Sequence, residues 1–244
     1  MVPVQIYSDG LGYEGGIGAS TLLFINDQLV GSLKYYLGTS LEHTVCEAEG
    51  VVLLMGLHLL HRLHCQLTLP TILRSDSQVT IRALGNQKAH FRQYILDAIH
   101  LTAEHLHAKQ DGLINRAEHQ RQINASKTWS GRHKGIVDLQ VHWVPGHCDF
   151  GPNEQADKEA KFVVQGASSK ARFLPQLLHK RLPLSISALH QSFADKLKKR
   201  WRWRWKGSER ENILRTIDNS ALSKKYLQLI SGLDQCQASL LFQL

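Results

Sequence analysis

Val2-Pro3-Val4-Gln5-Ile6-Tyr7-Ser8-Asp9-Gly10 is the stretch whose reading decides the fold. Val2, Val4 and Ile6 alternate with Gln5 and Ser8, the period of a strand with one buried face, and Asp9-Gly10 reads as a turn signal at its end. Beyond the glycine-rich segment Gly12 to Gly18, Ala19 to Ile25 is rich in strand formers. Asn26-Asp27 then separates it from Leu29 to Leu37, which predicts an antiparallel three-stranded meander. From Glu42 to Leu63 the apolar spacing becomes helical, with Thr44 placed to cap the helix.

Further along, Leu67 to Arg74 reads as a strand despite Pro70, Asp76 to Leu84 and Phe91 to Ala108 as helices, Leu139 to Val144 as a fifth strand and Asn153 to Val164 as a closing helix. The order is βββαβααβα, an α/β pattern. Gly112 to Val137 is polar and basic and too long for an ordinary connection, so it is expected to be an inserted loop. Pro175 and Pro183 accompany a change to a helix-like, basic composition, which puts a domain boundary near residue 166.

A chain of 244 residues with 43% hydrophobic content can bury a full core, which excludes a disordered protein. No apolar run reaches the roughly 18 residues of a membrane span and no signal-like segment leads the chain, so an intracellular protein, nuclear or cytoplasmic and monomeric, is expected. The four cysteines form no C-x-x-C pair, and neither a disulfide framework nor a zinc ribbon is supported. His58, His61 and His64 recur beside Cys65, but no carboxylate or second cysteine completes a metal set there.

The net charge of +8 is unevenly spread: residues 1–165 hold 14 Lys+Arg against 16 Asp+Glu, a net −2, and residues 166–244 hold 15 against 5, a net +10. An acidic front half suits a domain that gathers carboxylates around cations, and a basic rear suits a polyanionic partner.

Asp9 ends the first expected strand and Asp76 follows the fourth, so neighbouring strands would set their carboxylates side by side. Such oxygens suit Mg²⁺ or Mn²⁺, and a pair of ions about 3.5–4 Å apart can activate water for phosphodiester cleavage. Turn and helix-cap roles are the alternative for either residue. In the following helix, Glu49 shares a face with Val52, Leu53, Gly56, Leu57 and Leu60, the stripe expected to pack on the sheet. Glu47 lies off that stripe, so Glu49 is the favoured ligand and Glu47 a solvated neighbour.

Four motifs then occur in order: Tyr7-Ser8-Asp9-Gly10, Thr44-Val45-Cys46-Glu47-Ala48-Glu49, Ser75-Asp76-Ser77, and Trp143-Val144-Pro145-Gly146-His147 leading to Asn153-Glu154-Gln155-Ala156-Asp157. Together they resemble the type 1 ribonuclease H family, and in wording the domains carried by fungal non-LTR retrotransposon reverse transcriptases. The resemblance covers residues 4 to about 163. It implies a ribonuclease H-like five-stranded mixed sheet with helices on both faces, hydrolysing the RNA strand of RNA/DNA hybrids with two Mg²⁺ ions, Mn²⁺ being an alternative. It implies Asp9, Glu49, Asp76 and Asp157 as metal ligands, His147 as an aid to proton transfer or product release, and Gly10, Ser77 and Asn153 near the nucleic acid. Two positions depart from the family: Leu11 replaces a small hydroxyl residue, expected to weaken contacts to the hybrid, and Pro152 replaces a glycine, expected to shift Asp157 slightly. A silent nucleic-acid-binding relic and a DNA-cutting nuclease of the same fold are the rival readings.

The domain reading is residues 1–166 for the ribonuclease H part, with the loop at about 112–137, and 167–244 for a basic, partly helical extension resembling a truncated retroelement linker. Its densest run, Lys196 to Lys206, holds seven cations and no acid. Lys199, Arg200, Arg202 and Arg204 interleaved with Trp201 and Trp203 could hold phosphates and stack on bases. Equally, Leu197, Trp201 and Trp205 could be one apolar face of a helix with solvated cations.

Overall fold

The computed structural model describes residues 4–67, 70–86, 92–124, 137–145 and 151–206, with 228, 231–235 and 237 beyond them. Strands β1 (Val4–Tyr13), β2 (Gly16–Ile25), β3 (Gln28–Thr39), β4 (Thr71–Ser75) and β5 (Leu139–Trp143) form one sheet in the order β3-β2-β1-β4-β5. The first three pair antiparallel, while β1, β4 and β5 run parallel. This is the ribonuclease H-like mixed sheet. Helices α1 (Val45–Arg62), α2 (Gln78–Leu84), α3 (Gln93–Asn124), α4 (Gly151–Val163) and α5 (Ile186–Trp205) accompany it, with short 3-10 turns at Ala171–Phe173 and Gln176–His179 between the last two.

The meander is set by two tight turns. Asn26 and Asp27 both take left-handed backbone, with φ of 58° and 57°, the conformation a two-residue hairpin demands and that Asn and Asp tolerate. The other turn is Glu14-Gly15, so β1 runs straight through Asp9-Gly10, where a turn was expected. Strand β4 starts only after Pro70, whose missing N–H makes it a poor ladder member.

Helix α1 is the hub. Val51, Val52, Leu53, Leu54, Met55 and Leu60 are essentially fully buried, each gaining roughly 1.5–3 kcal/mol from leaving water. As its spacing suggested, Gly56 lets the helix come close: a Cβ there would stand 3.1 Å from Ile6 Cγ2. On the opposite face α4 covers β1 and β2, where Ala156 joins Tyr7, Leu22 and Phe24 in a second cluster. Pro152 lies in the first turn of α4, where no intrahelical N–H is needed.

Two expectations are corrected. Helix α3 continues to Asn124, so residues 112–124 of the expected inserted loop are helical; the remainder, 125–136, lies outside the described residues. Its second half is held by polar pairs, such as Gln122 to Glu118 at 3.3 Å and Gln120 to Asn124 at 3.1 Å, and these leave no apolar periodicity to read. Buried Gln110 ties it to the preceding loop, its Oε1 accepting from Leu67 N at 2.9 Å.

The expected boundary near 166 is not where packing ends. The first compact unit extends to Ala188. Ser169 N donates to Lys34 O at 2.8 Å and Tyr36 N donates to Ser168 Oγ at 2.9 Å. Leu174, Leu178 and Leu182 join the main core, and Ser185 N donates to Glu42 O at 2.8 Å. The second unit, Leu189–Leu244, contains most of α5. Within it Trp201 and Trp205 stack at 6.2 Å, while Lys199, Arg200, Trp201, Arg202, Trp203 and Arg204 are exposed. No helix among the described residues is long and apolar enough to cross a membrane.

Candidate metal centre

The parallel pairing of β1 with β4 places Tyr7 opposite Arg74. Carried two residues on, that register sets Asp9 beside Asp76, just past the end of β4. Glu49 comes from the first turns of α1, which crosses the sheet at this end. Asp9, Glu49 and Asp76 each offer a carboxylate oxygen, and these oxygens lie within 4.8 Å of one another. It is the one such group of metal-ligating side chains among the described residues, and the histidines around Cys65 form none.

Gly10 makes the approach possible. A Cβ there would stand 2.7 Å from Glu49 N and 2.8 Å from Ala48 C, inside contact distance of backbone that cannot swing away. Its N–H donates to Glu49 Oε1 at 3.2 Å. Gly10 is therefore buried beneath α1, where it has a packing role.

The electrostatics are those of a site short of positive charge. Burial, then the negative charges of Asp76 and Asp9, push the Glu49 carboxyl up to about 9, opposed by the Gly10 N–H and by Arg92. Glu49 Oε2 is buried with no hydrogen-bond partner among the described residues. An orphaned carboxylate oxygen facing two more carboxylates is costly unless a cation shares them. Hard oxygen donors fit Mg²⁺ or Mn²⁺ better than softer metals.

Glu47 is not solvated, contrary to expectation: it is 3% exposed. Its Oε2 accepts from Thr44 N at 2.9 Å and Thr44 Oγ1 at 3.2 Å, the carboxylate half of a capping box, and lies 3.6 Å from His43 Nδ1. Burial pushes its carboxyl up, but His43, the Thr44 N–H and Ser185 outweigh that and leave it lowered. Glu47 caps the helix that Glu49 serves.

Asp157 is not brought into the three-carboxylate cluster. Half-buried on α4, its Oδ2 accepts from Lys161 Nζ at 2.6 Å, and Lys161 is held charged by Asp157 first and by Asp9 as well. Ser77 caps α2, its Oγ accepting from Thr80 N at 3.3 Å. His147 and the side chain of Asn153 lie outside the described residues.

Sequence reasoning missed two neighbours of the site. Arg92 Nη1 donates to Cys46 O at 3.0 Å in the first turn of α1, and nothing in its local sequence marks it. Trp143 Nε1 donates to Asp76 O at 3.0 Å, and its signal was the tryptophan that opens the Trp143-to-His147 motif.

No family model matches this chain, and no curated protein does. Among solved structures it is similar to the N-terminal ribonuclease H domain of a Mycobacterium tuberculosis protein, at 18% identity over 68% of this chain and 96% of that one, TM-score 0.44. It is similar to ribonuclease H1 of Halobacterium salinarum, at 19% identity over 68% of this chain and 99% of that one, TM-score 0.43. It is similar too to a ribonuclease H1 isolated from compost, at 15% identity over 68% of this chain and 98% of that one, TM-score 0.45.

Proposed function

We propose that this chain is a metal-dependent ribonuclease H that hydrolyses the RNA strand of RNA/DNA hybrids, derived from a fungal non-LTR retroelement. The observation that carries the reading is the trio Asp9, Glu49 and Asp76, with three carboxylate oxygens within 4.8 Å and Glu49 Oε2 lacking a hydrogen-bond partner among the described residues. The order of the four sequence motifs supplies the substrate class. Asp9, Glu49 and Asp76 would hold the divalent cation, and Asp157, here paired with Lys161, is the further carboxylate the motif assigns to it. Bound divalent ions supply an activated water and neutralise the leaving oxygen. His147 assists proton transfer or product release, while Ser77 and Asn153 border the nucleic acid, whose RNA strand is recognised through its 2′-hydroxyls.

The test is a labelled hybrid incubated with the full chain, with and without Mg²⁺. Metal-dependent cuts in the RNA strand that leave 5′-phosphate and 3′-hydroxyl ends are expected. Binding without any cleavage would leave a silent relic, and cleavage of duplex DNA in preference to hybrid would make it a DNA nuclease; either sinks the proposal.

The cations of α5 are assigned to the nucleic-acid backbone, on the strength of the +10 charge beyond residue 165 beside −2 before it. Replacing Arg200, Arg202 and Arg204 together by Gln is expected to flatten the slope of log affinity against log salt by about 3 units, roughly one for each phosphate no longer neutralised. Cleavage per bound complex stays the same. Parallel slopes for variant and parent would return α5 to a solvated helix face.

A further inference from the structure

Asp76 occupies the gap between two regular elements. Ser75 ends β4, and Ser77 caps α2. Its neighbours are tied locally: Ser77 N donates to Ser75 Oγ at 3.2 Å, and Val144 N donates to Ser75 O at 3.0 Å. Asp76 itself has no place in the β4–β5 ladder, which ends at the pair Ser75 and Trp143. Its carbonyl is taken instead by a side chain from the neighbouring strand, the Trp143 indole N–H at 3.0 Å. Trp143 is 48% exposed, so burial alone does not account for where its ring lies.

The brace has something to resist. In the metal-free site the Asp76 carboxylate is crowded against those of Asp9 and Glu49, with ligand oxygens within 4.8 Å of one another, so the short segment carrying it needs holding in place. A ligand oxygen displaced by about 1 Å is a poor ligand, and partners that orient a ligand from outside the coordination shell are commonly worth 10–100-fold in metal affinity. We propose that Trp143 is a positioning residue for the metal centre: its indole N–H on the Asp76 carbonyl holds the Asp76 carboxylate in ligating position. This rests on the metal reading above. An exposed ring that merely finished the end of β5 would affect stability and leave metal affinity alone.

The experiment titrates the full chain with Mn²⁺, reading bound metal by calorimetry, for the parent, Trp143→Phe, Asp76→Asn and the double variant. Trp143→Phe keeps an aromatic ring and removes the donor. It is expected to bind Mn²⁺ about tenfold more weakly, with a metal-free melting temperature close to the parent's. In the Asp76→Asn background the same change is expected to have no further effect, because Trp143 acts through Asp76. Trp143→Tyr, whose hydroxyl cannot reproduce the indole donor, is expected to match Trp143→Phe and serves if the latter is unstable. Parent-like affinity in both Trp143 variants, or an equal loss in the Asp76→Asn background, overturns the positioning role and leaves the metal site standing. A parent that binds no Mn²⁺ overturns the metal reading, and this inference with it.

Discussion

Glu49→Gln is expected to reduce cleavage of a hybrid by at least about a hundredfold, since even outer-shell partners of a metal are worth 10–100-fold. The same change is expected to raise the melting temperature of the metal-free protein. The reason lies in the raised Glu49 carboxyl, moved from an ordinary 4.5 to about 9 by burial and by Asp76 and Asp9. Below 4.5 the group is protonated whether folded or unfolded and has no influence on stability. Between 4.5 and 9 the unfolded chain ionises it and the folded chain resists, so stability falls steadily across that window. Gln does not titrate, so the variant's advantage should be small at pH 5 and grow towards pH 8, at about 2–4 °C for each kcal/mol recovered in a domain of this size. Glu47→Gln, made in parallel, should do the reverse. It loses an anionic cap, costing about 1 kcal/mol, and keeps most of the cleavage. Melting curves at the two pH values and one cleavage assay decide the matter; a Glu49→Gln variant less stable than the parent at pH 8 would show that its carboxylate is satisfied without metal.

Gly10→Ala should be strongly destabilising for the addition of a single methyl group. Its Cβ would meet Glu49 N and Ala48 C at 2.7 and 2.8 Å. Backbone atoms of a helix cannot step aside singly, so α1 must lift from β1 as a body. Overpacking of this kind costs about 3 kcal/mol, or roughly 6–12 °C in melting temperature. The lift also carries Glu49 away from Asp9, so cleavage and Mn²⁺ binding should fall along with stability. Gly112→Ala is the control: within α3, a Cβ there meets nothing within 4 Å, and alanine should be neutral or stabilising by up to about 1 kcal/mol. If Gly10→Ala melts like the parent, the close approach of α1 is not rigid and the account of Gly10 is wrong.

Much of this was legible in the residues, for reasons that also explain what was not. Strands β1 to β3 announce themselves by alternation and by turn residues that accept left-handed backbone, both local properties. Glu49 was separable from Glu47 because helical spacing says which face meets a sheet. That Glu47 is nonetheless buried could not be read, because His43 and Ser185 reach it from outside its own helix. The second half of helix α3 carries no apolar stripe that would announce it, because it relies on polar pairs three and four residues apart, such as Arg121 with Glu118 at 3.8 Å. Asp157 stands in the last of the four motifs, but its engagement with Lys161 is a matter of side-chain geometry that spacing alone leaves open.

The segment that follows α4 has a consequence for the sheet's outer border. Strand β3 lies at the end of the strand order, so one row of its amides and carbonyls has no strand beside it among the described residues. Ser168 and Ser169 take up part of that row through Tyr36 and Lys34. A chain trimmed at residue 166 would keep every carboxylate of the metal centre and lose this cover. It would present an open strand edge on which a second molecule could grow its own sheet, turning a self-contained fold into a seed for aggregation.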